Sequence, residues 1–81
     1  MVKYTVWGRP NCVWCKEAKK LLEYYFIEYE YKELTPDNMG EFNYMTGFAK
    51  SVPQIIKHTP NDGDHEFKLI GGYEDLKNWL K

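Results

Sequence analysis

Apolar and polar positions change period along the chain, and each change predicts an element. Between Val2 and Trp7, β-branched and aromatic residues crowd together before Gly8 and Pro10, which reads as a short buried strand ending in a loop. Ala18, Leu21, Leu22 and Tyr25 then recur at i, i+3, i+4 and i+7, with Lys16, Glu17, Lys19, Lys20 and Glu23 opposite. That spacing predicts a surface helix beginning at or just before Cys12. From Phe26 to Leu34 the period drops to two, with Ile27, Tyr29 and Tyr31 on one face and Glu28, Glu30 and Lys32 on the other, as in a half-buried strand. Strand, helix and strand in this order imply a parallel crossover.

The second half is punctuated more heavily. Thr35, Pro36 and Asp37 form an N-cap and first-turn signal for a second helix, interrupted by Gly40 and stopped at Gly47. Pro53 opens the short apolar run Gln54 to His58, Thr59 to His65 is a turn by composition, and Glu66 to Ile70 makes the returning strand of a hairpin. After Gly71 and Gly72, the residues Tyr73, Leu76, Trp79 and Leu80 mark a final helix of two turns. The order is βαβ followed by αββα, an α/β chain with a four-stranded mixed sheet and three helices.

Composition narrows what such a chain does. Its 81 residues, 43% hydrophobic and 17% aromatic, suffice for one modest core, so residues 1–81 are expected to be one domain and a monomer. With 11 Lys and Arg mixed among 12 Asp and Glu, the chain offers no basic surface for phosphate backbones, and nucleic acid is not expected as a partner. The opening residues do not read as a secretory signal and no segment has the ~20 apolar residues of a membrane span, so a cytoplasmic location is expected.

Cys12 and Cys15 carry the chemistry. As a staple closing so short a loop they would stabilise by only about 2 kcal/mol, and structural disulfides are rare in the cytosol. A structural zinc site needs four ligands, and the remaining candidates, His58 and His65, lack finger-like spacing and are expected to be exposed in a loop or at a strand end. Redox chemistry is the reading left standing. A cysteine in the first turn of a helix lies among unpaired N–H groups at the positive end of the dipole, which favour thiolate over thiol. Cys15 lies one turn on, so Cys12 is expected to be the nucleophile and Cys15 the thiol that resolves its mixed disulfides.

Three motifs together resemble the glutaredoxin family of the thioredoxin fold: Cys-Val-Trp-Cys between a strand and a helix, Ser51-Val-Pro-Gln54 ahead of a short strand, and Gly71-Gly-Tyr-Glu-Asp-Leu76 ahead of the last helix. The likeness runs over essentially the whole chain and is greatest to the small dithiol glutaredoxins of bacteria and their phages. It implies a thioredoxin-like fold, glutathione as reductant and co-substrate, no metal, and disulfide-bearing proteins as clients, with ribonucleotide reductase a candidate among them. It also implies a cis Val52–Pro53 bond that leaves the Val52 backbone free to pair with glutathione as an added strand. Asp75 would take the γ-glutamyl amino group and the Glu74 and Asp75 N–H groups its carboxylate, beside Gly72. Trp14 would form an exposed aromatic wall, and Arg9 would contribute a nearby positive charge. Val13 stands where the family usually has proline. Glu74 replaces a common Ser or Thr and is expected to weaken glutathione binding by repulsion.

Other functions make distinguishable demands. A thioredoxin-like donor recharged by a reductase would lack a γ-glutamyl site, against which Gly71 to Asp75 argues. An iron–sulfur carrier would hold a cluster between two chains through Cys12 and glutathione, which the second cysteine disfavours. A non-catalytic binding domain would keep its partner after Cys12 is alkylated.

Overall fold

The computed structural model describes residues 2–81; the first residue of the expected 1–81 domain lies outside them. The elements run β1 (Lys3–Gly8), α1 (Val13–Tyr24), β2 (Tyr29–Glu33), a 3₁₀ turn (Pro36–Asn38), α2 (Met39–Thr46), β3 (Gln54–Asn61), β4 (Asp64–Gly71) and α3 (Tyr73–Trp79). They build one four-stranded sheet in the order β2-β1-β3-β4. β1 and β2 are parallel, joined by α1, while β1–β3 and β3–β4 are antiparallel.

Alternation along the central strands sends side chains to two cores. Tyr4, Val6 and Ile55 face Ala18 and Leu22 of α1 and Leu76 of α3, with Leu21, Ile27, Tyr29 and Tyr31 filling the margins. Trp7 and Ile56 face the other way and pack with Leu34 and with Phe42 of α2, where the Trp7 and Phe42 rings meet edge to face at 5.5 Å. Lys32 fastens this side by pairing with Glu41 of α2 at 2.9 Å while its ammonium sits over the Trp7 ring.

Local signals act as expected at the second helix. Asn38 Oδ1 accepts the Thr35 N–H at 2.8 Å, and Gly47 ends α2 in the left-handed region at φ 67°, where a Cβ would be strained. Gly40 is absorbed within the helix, its side open.

Three details depart from the periodic reading. Tyr25 does not join the core: α1 ends at Tyr24, Tyr25 is its C-cap and Phe26 turns left-handed, so Tyr25 swings outward against Tyr24. The turn between β3 and β4 is Asp62–Gly63 alone, since the backbone pairs Pro60 with His65 and Asn61 with Asp64 despite their turn-like composition. His58 accordingly lies inside β3 and only half-buried, while His65, second in β4, is exposed near a strand end as expected, and the two stand beside one another.

Candidate active site

The β1–α1 connection is bent by Asn11, a residue type that tolerates the left-handed φ of 61° found there. Cys12 follows as the N-cap of α1 in extended conformation. Its Sγ accepts the Cys15 backbone N–H at 3.1 Å, and its carbonyl accepts that of Lys16 at 3.2 Å. An N–H that the helix cannot use is thus spent on the Cys12 sulfur. Cys12 and Cys15 are joined as a disulfide, with Cα atoms 5.2 Å apart. Cys15 lies beneath, only 1% exposed, whereas Cys12 is half-buried and reachable. Gly8 makes the room below: a Cβ there would come within 2.8 Å of the Tyr31 ring and hydroxyl and 3.0 Å of Cys15 Sγ. Burial and, second, the Glu33 charge raise the pKa of Tyr31, keeping it a neutral phenol.

The second wall is the approach to β3. Gln54 Nε2 donates to the Ser51 carbonyl at 3.0 Å, fixing the bend in which Val52–Pro53 is cis. The third is the approach to α3. Gly71 has φ 118°, and a side chain there would also run into the Asp75 carboxylate. That carboxylate accepts the Gly72 N–H at 3.1 Å, capping α3 with one oxygen.

Six of the seven residues expected to bind glutathione line one cleft of about 330 Å³: Trp14, Val52, Pro53, Gly72, Glu74 and Asp75. Arg9 is apart from them. It borders an adjoining cleft of about 290 Å³ with Lys50 and the apolar floor Leu34, Met39 and Phe42, and Ser51 and Val52 form the ridge between the two. One cleft therefore carries carboxylates and its neighbour cations. Tyr73 packs against the core from the apolar side of α3, as its spacing predicts, and also lines the first cleft, which the spacing does not predict. Its ring stands 5.2 Å from that of Trp14 and closes the first cleft from the side. A larger cavity of about 700 Å³ lies at the opposite end of β1, around Lys3, Ile27, Glu28 and His58, and holds no thiol. Among the described residues no three His, Cys, Asp or Glu converge as a metal centre, and no helix is long and apolar enough to cross a membrane.

Comparisons with known proteins bear on the arrangement. The family model described as Glutaredoxin matches residues 2–59. Glutaredoxin 1 from Francisella tularensis, solved in complex with cacodylate, is similar at a TM-score of 0.69 and 24% identity, covering 99% of this chain and 93% of that one. At that identity the likeness is one of fold, the thioredoxin-like fold of glutaredoxins. A malarial protein structure is similar at a TM-score of 0.48 and 18% identity over 99% of this chain and 93% of its own, too low to carry an argument. No curated protein sequence matches. Because the family match runs through both cysteines and the Val52–Pro53 bend and takes in more than half of the chain, the chain belongs to the glutaredoxin family of thiol–disulfide oxidoreductases.

Proposed function

We propose that the chain is a glutathione-dependent reductase of glutathione mixed disulfides and of protein disulfides, acting in the cytoplasm through Cys12 as nucleophile and Cys15 as resolving thiol. One observation carries the assignment: the N-cap sulfur of Cys12 receives a helix N–H while its partner sulfur is buried. A thiolate at Cys12 is favoured by that N–H and by the helix dipole, and it alone meets a bulky substrate.

On a glutathionylated protein, the Cys12 thiolate attacks the glutathione sulfur, the protein thiolate leaves, and Cys12 carries the glutathionyl group. A second glutathione thiolate attacks that group, releasing glutathione disulfide and restoring Cys12. On a protein disulfide, Cys12 forms a mixed disulfide and Cys15 attacks Cys12 Sγ, releasing the substrate dithiol and leaving the Cys12–Cys15 bond. Two glutathione molecules then reduce that bond.

The first cleft is of a size for a tripeptide. Backbone groups of Val52 pair with its extended chain, Trp14 and Pro53 flank its cysteine, and Gly72, Glu74 and Asp75 face its γ-glutamyl end. Asp75 uses one oxygen on Gly72 and has the other for the ammonium. Arg9, across the Val52 ridge, faces the other end of the peptide. Disulfide-bearing proteins are the clients, ribonucleotide reductase a candidate among them.

The test is kinetic. Cys12→Ser abolishes all exchange, whereas Cys15→Ser keeps the reduction of a glutathionylated peptide and loses that of an intramolecular protein disulfide. Asp75→Asn, which retains an acceptor for the Gly72 N–H, lowers kcat/KM on the glutathionylated peptide by roughly tenfold, the loss narrowing at high salt. Bis(2-hydroxyethyl) disulfide assayed without glutathione is little affected. Equal losses on both substrates would remove the γ-glutamyl site, and exchanged phenotypes of the two cysteine variants would reverse their roles.

A further inference from the structure

The hairpin formed by β3 and β4 brings together two residues far from the thiols. Its register sets His58 against Phe67 and Pro60 against His65, so His58 and His65 are diagonal neighbours on one face of the sheet. His58 Nε2 and His65 Nδ1 are 2.9 Å apart, with ring centroids 5.0 Å apart and planes at 33°. The Phe67 ring is stacked on that of His58, centroids 4.5 Å apart and planes 6° from parallel, and so braces one of the two imidazoles. His58 also borders the cavity of about 700 Å³ that opens at this end of the sheet.

Two lone pairs able to share a proton are also able to share a cation. Imidazole–metal bonds are about 2.0–2.1 Å, and two of them meeting at a right angle hold their nitrogens about 2.9 Å apart. A right angle between ligands is the preference of square-planar and tetragonal ions, and Cu(II) heads the affinity order for nitrogen donors. The rings now meet nearly end to end, each nitrogen facing the other, so an ion is admitted only when both imidazoles turn off that line, His65 from an exposed position and His58 against the Phe67 ring. No third His, Cys, Asp or Glu joins them among the described residues, which excludes a closed structural zinc centre and leaves the other positions to water.

We propose that the His58–His65 pair is a two-nitrogen binding site for a divalent transition-metal ion, Cu(II) the best fitted, at the end of the sheet opposite the thiols. It is independent of the thiol chemistry and does not rest on the reading of glutathione dependence.

The experiment uses the full chain in its disulfide form, so that no thiolate competes for metal. Calorimetric titration with CuCl₂ is expected to give one ion per chain, and electron paramagnetic resonance to show coupling to imidazole nitrogen. His58→Ala and His65→Ala each weaken binding by at least the roughly tenfold that losing even an outer partner of a metal site costs. Phe67→Leu weakens it by less, through freedom returned to His58. His65 is exposed, so His65→Gln keeps the test clean if His58→Ala proves unstable in a thermal melt. Equal Cu(II) binding by the native chain and the double histidine variant would overturn the proposal, as would no binding by the native chain at millimolar CuCl₂.

Discussion

The two faces of the sheet are finished to different degrees. One is covered by α1 and α3, and the residues sent to it, Val6, Ile55, Ala18, Leu22 and Leu76, are fully sealed. The other has only α2, eight residues or about 12 Å long, laid against a β3 that extends about 26 Å. Trp7 and Ile56 are sealed on the central strands near the thiols, while on edge strand β4 Leu69, beside Ile56, and Phe67, farther along, remain exposed. Covering is therefore concentrated where the cysteine-bearing loops need a fixed base. The uncovered half has room for residues with no duty to the core, and His58 and His65 are among them.

The comparison breaks most directly by truncation on each face. Leu22→Ala, at a site with no exposure, is expected to cost about 2–5 kcal/mol, whereas Phe67→Ala, 57% exposed, costs under about 1 kcal/mol. Urea unfolding of the two variants measures both, and similar losses would show that the second face is as structural as the first. Gly8→Ala probes how tightly the covered face is packed beneath Cys15. The added methyl meets Tyr31 and the sulfur at 2.8 to 3.0 Å, so a loss of about 1–3 kcal/mol is expected from overpacking, and a neutral result would mean Tyr31 yields freely.

The smallest effect lies at the covered face's margin. Burial, then the hydrogen bond to and charge of Glu23, push the Tyr29 pKa up to about 12 from the ordinary 10.0. The folded state holds this proton more tightly than the unfolded chain, so the contribution is full below pH 10 and is lost as pH rises toward 12. Thermal midpoints between pH 9 and 12 should fall less steeply in Tyr29→Phe than in the native chain. Identical slopes would show that the hydroxyl has no such role.

What was legible in the sequence followed from strong local rules. The period-two run through Ile27, Tyr29 and Tyr31 and the period-3.6 run through Ala18 and Leu22 each point one way, and both lie where they were expected. Cys12 and Cys15 were legible because helix termini impose the same chemistry on any sequence. Tyr25 failed because a helix end, which no periodicity marks, intervened. The meeting of the two histidines went unforeseen because Pro60, Asn61 and Asp64 have turn composition but were drawn into the ladder by pairing across the hairpin. With a two-residue turn assumed at Asp62–Gly63, the register and the meeting of His58 with His65 could have been counted out. The separation of Arg9 from the other six cleft residues was beyond reach, because the Val52 ridge that divides them exists only in three dimensions.

Burial of Cys15 also dictates an order of events. Only the Cys12 sulfur presents itself to a bulky partner, so an electron donor and an electron acceptor cannot be engaged at once. Each must depart before the other arrives, and the chain alternates between two stable covalent forms. Initial rates measured over a grid of both concentrations should give parallel double-reciprocal lines, the ping-pong pattern. Any small electrophile that caps the single open sulfur would silence the donor and acceptor half-reactions together.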